Sequence, residues 1–203
     1  MFRFVAVPAL AILGLLAAAP VLAQSSPAPA QEAVQPTERL VMIPPEGWQN
    51  GGSSASRTAI ATHLFPPGQN SENWTEMLTI QVIVDPRAEA RAFVQRVVDA
   101  SRSGCDAAGP SPASEGMTNN YPVATLTVTC TRGHQSGMGG LVAVKAIRGQ
   151  QALFVVERLW RGPAFARDDS APIPKSTLQE WSTFLRGVSL CDHADPIRHP
   201  CPR

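Results

Sequence analysis

The sequence has no excess of charge of either sign: 17 Lys+Arg stand against 16 Asp+Glu, with four His. A nucleic-acid partner needs a basic patch against its polyanionic backbone, and no such patch is present. Nothing marks an attraction to an anionic membrane surface either. The short catalytic signatures are missing. There is no Gly-x-Ser-x-Gly elbow, no glycine-rich loop ahead of Lys-Ser/Thr, and no His-Glu-x-x-His. Past the N-terminal segment, no run is long and apolar enough to span a bilayer. Tyrosine occurs once, at Tyr121, and the tryptophans are Trp48, Trp74, Trp160 and Trp181. No cofactor is implied by any motif.

What is present begins with an export signal. Arg3 precedes the almost wholly apolar run Phe4 to Ala19, and Val21-Leu-Ala23 places small residues at the expected cleavage positions. Residues 1–23 are therefore expected to be a signal peptide, with no membrane association after cleavage. Cleavage takes one cation and no acid, which leaves the two signs equal. Residues 24–37, rich in Pro, Ala, Ser and Gln, are expected to form a flexible leader, because they bury too little apolar surface to offset ordering. Residues 38–190 are read as one domain and 191–203 as a closed tail. The chain is expected in the periplasm or secreted, and monomeric.

The stretch Asn73 to Val84 reads as the central strand of an antiparallel sheet. Leu78, Ile80, Val82 and Val84 fall on one face, Thr75, Thr79 and Gln81 on the other. Asp85-Pro86 is a helix-start signal, and that helix is expected to run to about Ser103 over the dry face. Further strands are expected at Arg39 to Ile43, Thr58 to Phe65 and Val123 to Thr131, with a hairpin of Leu141 to Arg148 and Gln151 to Trp160. Asn50 to Ser54 reads as a turn and Asp106 to Asn120 as a loop. Ser176-Thr-Leu-Gln179 has capping-box spacing and opens a second helix. The fold class is α+β: a mostly antiparallel sheet of about six strands flanked by two main helices.

Four cysteines in an exported chain favour disulfides. Cys105 follows the first helix and Cys130 ends the dry face of a strand that this helix covers, so the two are expected to pair. Cys191 and Cys201 leave two readings. With His193 and His199 they could form a tetrahedral zinc or copper site. Oxidation in an exporting compartment and the nine intervening residues favour a Cys191–Cys201 bridge instead.

The segments LVMIPPEGW (Leu40 to Trp48) and FPPGQNSENWTEMLTIQV (Phe65 to Val82) carry a resemblance. The first, with the order of strands and helices, resembles the PsbP-like sandwich family. The second resembles small secreted proteins of Gram-negative bacteria. The resemblance implies a fold used for binding and assembly, and no catalytic residue carries over.

The functional expectation is a binding or accessory module for a protein or small ligand of the periplasm. The groove is expected between the sheet and the loops Gln69–Trp74, Arg132–Gly140 and Arg161–Pro174. Candidate ligand-binding residues are Trp74, Glu76, His134, Glu157 and Trp160: indoles at strand ends can line a groove, and an acid in a cleft can fix a polar group. Glu157 also has a bland reading, a cross-hairpin ion pair with Lys145. The alternative is a small hydrolase using His63 or His134 as general base beside Glu76.

Overall fold

The computed structural model describes residues 37–202. The expected signal peptide and nearly all of the leader lie outside these residues. Ten strands and two helices follow in order: β1 (Glu38–Val41), β2 (Gln49–Ala55), β3 (Ala59–Phe65), β4 (Glu76–Ile83), α1 (Ala90–Gly104), β5 (Ala108–Pro110), β6 (Ser114–Thr118), β7 (Tyr121–Cys130), β8 (Gly139–Arg148), β9 (Leu153–Gly162), α2 (Lys175–Gly187) and β10 (Ser189–Asp192). Eight strands make one antiparallel sheet in the order β2-β3-β4-β9-β8-β7, with β5 and β6 sharing the outer edge of β7. β1 and β10 form a separate antiparallel pair.

The two helices cover opposite faces of the sheet. On β7 and β8, Ala124, Leu126, Val128, Val144 and Ala146 pack with Phe93, Val94 and Val98 of α1. The alternate residues of β8 and β9, Leu141, Ala143, Ile147, Phe154, Val156 and Trp160, pack with Trp181 and Leu185 of α2. This explains why β8 and β9 are apolar on both faces: a strand covered twice shows no alternation. Each fully buried large side chain contributes roughly 1.5–3 kcal/mol relative to exposure. Trp181, Leu78, Ile147 and Val94 are among those fully buried.

Two expectations about the centre are corrected here. The strand in the middle of the sheet is β9, and β4 lies one place towards the β2 edge. Leu78, Ile80 and Val82 belong to the α2 cluster, so α1 covers the other face. Alternation in β4 correctly separated two faces, but the partly polar one is also covered: Thr79 is buried and bonded to His63.

The expected six strands become eight in the main sheet and two more outside it. The segment read as a turn at Asn50 to Ser54 is the edge strand β2, fully exposed along its length. The segment read as a loop at Asp106 to Asn120 contains β5 and β6. Both errors have one cause. Edge strands rich in Gly, Ser and Pro form through the backbone ladder and bury no side-chain stripe for a pattern to reveal. Asp85 does not cap α1. Its carboxylate accepts from the Arg87 N–H at 2.9 Å in a turn before the helix, whose N-cap is Glu89. The capping box is also absent: α2 begins after Pro174 with no side-chain cap.

Both disulfides are formed, Cys105–Cys130 with Cα atoms 5.6 Å apart and Cys191–Cys201 with 4.9 Å. The first ties the end of α1 to β7. The second lies beyond α2, where β10 carries Cys191 opposite Arg39 of β1. The small sheet is fastened to the large one at two turns. The Glu38 carboxylate accepts from the backbone N–H groups of Gln150 and Gln151 in the β8–β9 turn. In the β6–β7 turn, Asn119 and Asn120 take left-handed φ values of 46° and 64°, which asparagine tolerates. Their side-chain amides donate to the Leu190, Pro200 and Arg198 carbonyls. Tyr121 then stacks on His199, with ring centres 3.9 Å apart.

Candidate functional site

The site lies under α2 and starts from one charged residue in an apolar strand. β8 reads Gly-Gly-Leu-Val-Ala-Val-Lys-Ala-Ile-Arg. Period two puts Lys145 on the same face as Leu141, Ala143 and Ile147, towards α2. It is only 6% exposed. Its Nζ donates to the Leu185 carbonyl at 2.9 Å and to the Val188 carbonyl at 2.6 Å. These are carbonyls of the last turn of α2 and the residue after it, the negative end of the helix. Burial lowers the pKa of the amine.

Next to Lys145 the sheet and helix part company. α2 packs on β8, while the residues of β7 on that face are Thr125 and Thr127, which are short and only half-buried. A cleft of about 480 Å³ opens between them. Leu141, Ala143, Leu178, Trp181 and Leu185 supply its apolar wall, with Lys145 inside. Ser111 comes from the segment joining β5 to β6, Ser114 from the start of β6, and Ser182 and Arg186 from α2. Two cations and five hydroxyls line this space, and no carboxylate does.

Trp181 divides the cleft from a second constellation. Its indole N–H donates to Glu76 Oε2 at 3.1 Å. The same oxygen accepts from Arg158 Nη2 at 3.1 Å, and Glu180 Oε1 lies 3.6 Å from that nitrogen. The Arg158 guanidinium carbon is 4.6 Å from the Trp48 ring centre, 5.1 Å from Trp181 and 5.4 Å from Phe184. Burial pulls the Arg158 pKa down and Glu76 opposes the shift; arginine stays charged regardless. Its Nε and Nη1 are buried without a hydrogen-bond partner. The aromatic stack and one carboxylate hold a cation in the interior, and so fix Trp181 against the cleft.

The residues singled out in the sequence are dispersed. Trp74 and Trp160 meet in a smaller groove of about 260 Å³ with Met138, Gly139 and Arg161. The Arg161 guanidinium lies 4.4 Å from the Trp74 ring centre and donates to the Trp74 carbonyl. Glu76 belongs to the Arg158 constellation. His134 sits on the surface, with Nε2 3.4 Å from Asp106 Oδ1. Glu157 faces the other side of the sheet and accepts from Gln81 Nε2 at 3.0 Å. Burial raises its pKa, with the Gln81 bond opposing. The cross-hairpin pair of Glu157 and Lys145 is corrected: Lys145 stands opposite Val156, so the two point to opposite faces. His63 bonds Thr79 at 3.1 Å, on the face opposite Glu76, so the general-base pairing is not assembled. In the tail both sulfurs are consumed by the Cys191–Cys201 bridge, which removes the thiolates of the zinc or copper alternative. His193 Nε2 lies 3.3 Å from Arg39 Nη1, and His199 bonds the Asn119 carbonyl.

Sequence reasoning missed Lys145, Trp181 and Arg186 as site residues. One signal was available: a single lysine inside an apolar run that has no polar face to carry it.

No family model matches the sequence, and no curated protein does. Among solved structures the fold is matched to the Saccharomyces cerevisiae Ran-binding protein Mog1p, at TM-score 0.41 and 11% identity, over 72% of this chain and 82% of that one. It is also matched to PA94, a protein of unknown function from Pseudomonas aeruginosa, at TM-score 0.36 and 11% identity, over 61% of this chain and 82% of that one. The expected resemblance to the PsbP-like family is corrected: the solved structures to which this fold is matched are of the Mog1p and PA94 type. Likenesses this low in score carry no argument about function.

Proposed function

We propose that the protein is an exported binding protein that holds a small, largely apolar ligand in the cleft under α2. The observation that supports this is the cleft itself: about 480 Å³, with an apolar wall of Leu141, Ala143, Leu178, Trp181 and Leu185 beside two cations and five hydroxyls. Small-molecule sites have this size and character. Two disulfides suit an oxidising compartment such as the periplasm or the extracellular space. Among the described residues, no helix is long and apolar enough to cross a membrane.

The neutral apolar dye N-phenyl-1-naphthylamine tests the reading. Its fluorescence should rise saturably on titration with the disulfide-bonded protein. Thr127→Trp places a large side chain on the cleft wall and should abolish that rise. Absence of saturable binding, or binding that ignores Thr127→Trp, would count against the cleft.

A further inference from the structure

We infer that the ligand of this cleft is an amphipathic anion: an apolar body carrying one carboxylate-like or sulfonate-like group that engages Lys145. The inference rests on the cleft being a binding site and adds the chemical class of what it takes.

The sequence contains only two lysines, Lys145 and Lys175, and one of them is inside the protein. An ammonium has three N–H donors. The bonds to Leu185 and Val188 use two, and among the described residues no protein acceptor takes the third. Those two bonds have a purely structural use, since they satisfy carbonyls at the end of α2. That use explains why a donor sits there. It leaves unexplained why an open cleft lies beside the donor, why a second cation, Arg186, lines the same space, and why no acid does.

The surrounding charges do not supply the missing anion. Glu76 is committed to Arg158 and to the Trp181 indole, and Trp181 stands between it and the cleft. Glu180 faces Arg158. Glu157 points to the opposite face of the sheet. Arg148, three residues along β8, donates to the Pro86 carbonyl. A buried cation without a counter-ion is costly, and an anionic ligand group would offset that cost. The hydroxyls of Ser111, Ser114, Thr125, Thr127 and Ser182 add donors for the same group, and the apolar wall takes the body. The volume admits a small molecule, not a protein segment with its own secondary structure.

A matched pair of dyes separates the class from the site. 1-Anilinonaphthalene-8-sulfonate has the skeleton of N-phenyl-1-naphthylamine plus one sulfonate. The full disulfide-bonded chain at low ionic strength should bind the sulfonate at least about tenfold more tightly, the scale of one charge-assisted hydrogen bond. Lys145→Met should erase most of that preference, lowering binding of the sulfonate far more than binding of the neutral dye. Arg186→Gln, at an exposed position, should lower the preference several-fold, and so should added salt. Should Lys145→Met fail to fold, Arg186→Gln and the salt series still decide the matter. Equal binding of the two dyes, or a preference unmoved by both substitutions and by salt, overturns the anionic class while the cleft stands. If neither dye binds, the cleft reading falls, and this inference with it.

Discussion

Lys145 of β8 donates to the carbonyl of Val188, 2.6 Å away and one residue past the end of α2. One side chain thus joins the sheet to the helix that roofs the cleft. With Leu185 as its other acceptor, it holds the last turn of α2 where α2 has left β7 behind. The same bonds that fasten the helix also keep the ammonium at the cleft rather than extended into solvent.

Lys145→Met should therefore destabilise as well as alter binding. Methionine fills similar space but offers no donor, so two carbonyls lose their partner. The expected loss is about 1–3 kcal/mol, softened because the cost of burying a charge is also removed. A shift of the urea midpoint without change in slope would show it. An unchanged midpoint would mean that the ammonium does not hold α2.

Glu76→Ala should cost more. It leaves Arg158, 1% exposed, with only the longer contact to Glu180. Stranding a buried cation costs about 3 kcal/mol. Adding Arg158→Met should recover part of the loss, because the unpaired charge is then gone. A double mutant no better than Glu76→Ala would show that the carboxylate acts only through Trp181.

Removal of the first disulfide, by Cys105→Ser with Cys130→Ser, should lower stability by about 3 kcal/mol, as expected for a loop of this length. The bridge spans a sequence separation of 25 residues. Non-reducing peptide mapping should recover Cys105 linked to Cys130 and Cys191 linked to Cys201, with any crossed pair counting against the fold.

Glu157 carries a pH dependence. Burial raises its carboxyl pKa in the folded chain above the unfolded value, against the pull of the Gln81 bond. The folded state then holds the proton more tightly. The group favours folding below its ordinary pKa, and that contribution is lost as pH rises through the folded value. Above that value the carboxylate is ionised in the folded chain and is a cost. Glu157→Gln keeps an acceptor for Gln81 and should raise Tm at about pH 7, with the gain vanishing towards about pH 4. A constant difference across that range would place its origin in packing.

The legible parts of the fold were those with a burial stripe. Both helices, β4, β7 and the β8–β9 hairpin carry apolar residues at periods that can be counted, and the Cys105–Cys130 pairing followed from α1 lying on β7. β2, β5 and β6 carry no stripe, and their hydrogen bonds depend on partners far along the chain. The site was harder still. Trp74 and Trp160, indoles at strand ends, line the smaller groove. The larger cleft exists because Thr125 and Thr127 are short where α2 leaves the sheet, a fact of three elements at once. Threonine alternation was visible in the sequence, but a helix standing over it was not.

Mapping the bound dye by NMR tests the central claim most directly. On titration with 1-anilinonaphthalene-8-sulfonate, the methyl groups of Leu141, Ala143, Leu178 and Leu185 and the Trp181 indole N–H should shift together with one saturation curve. Shifts confined to Met138 and the Trp74 and Trp160 indoles, or none that saturate, would contradict the placement of the binding site under α2.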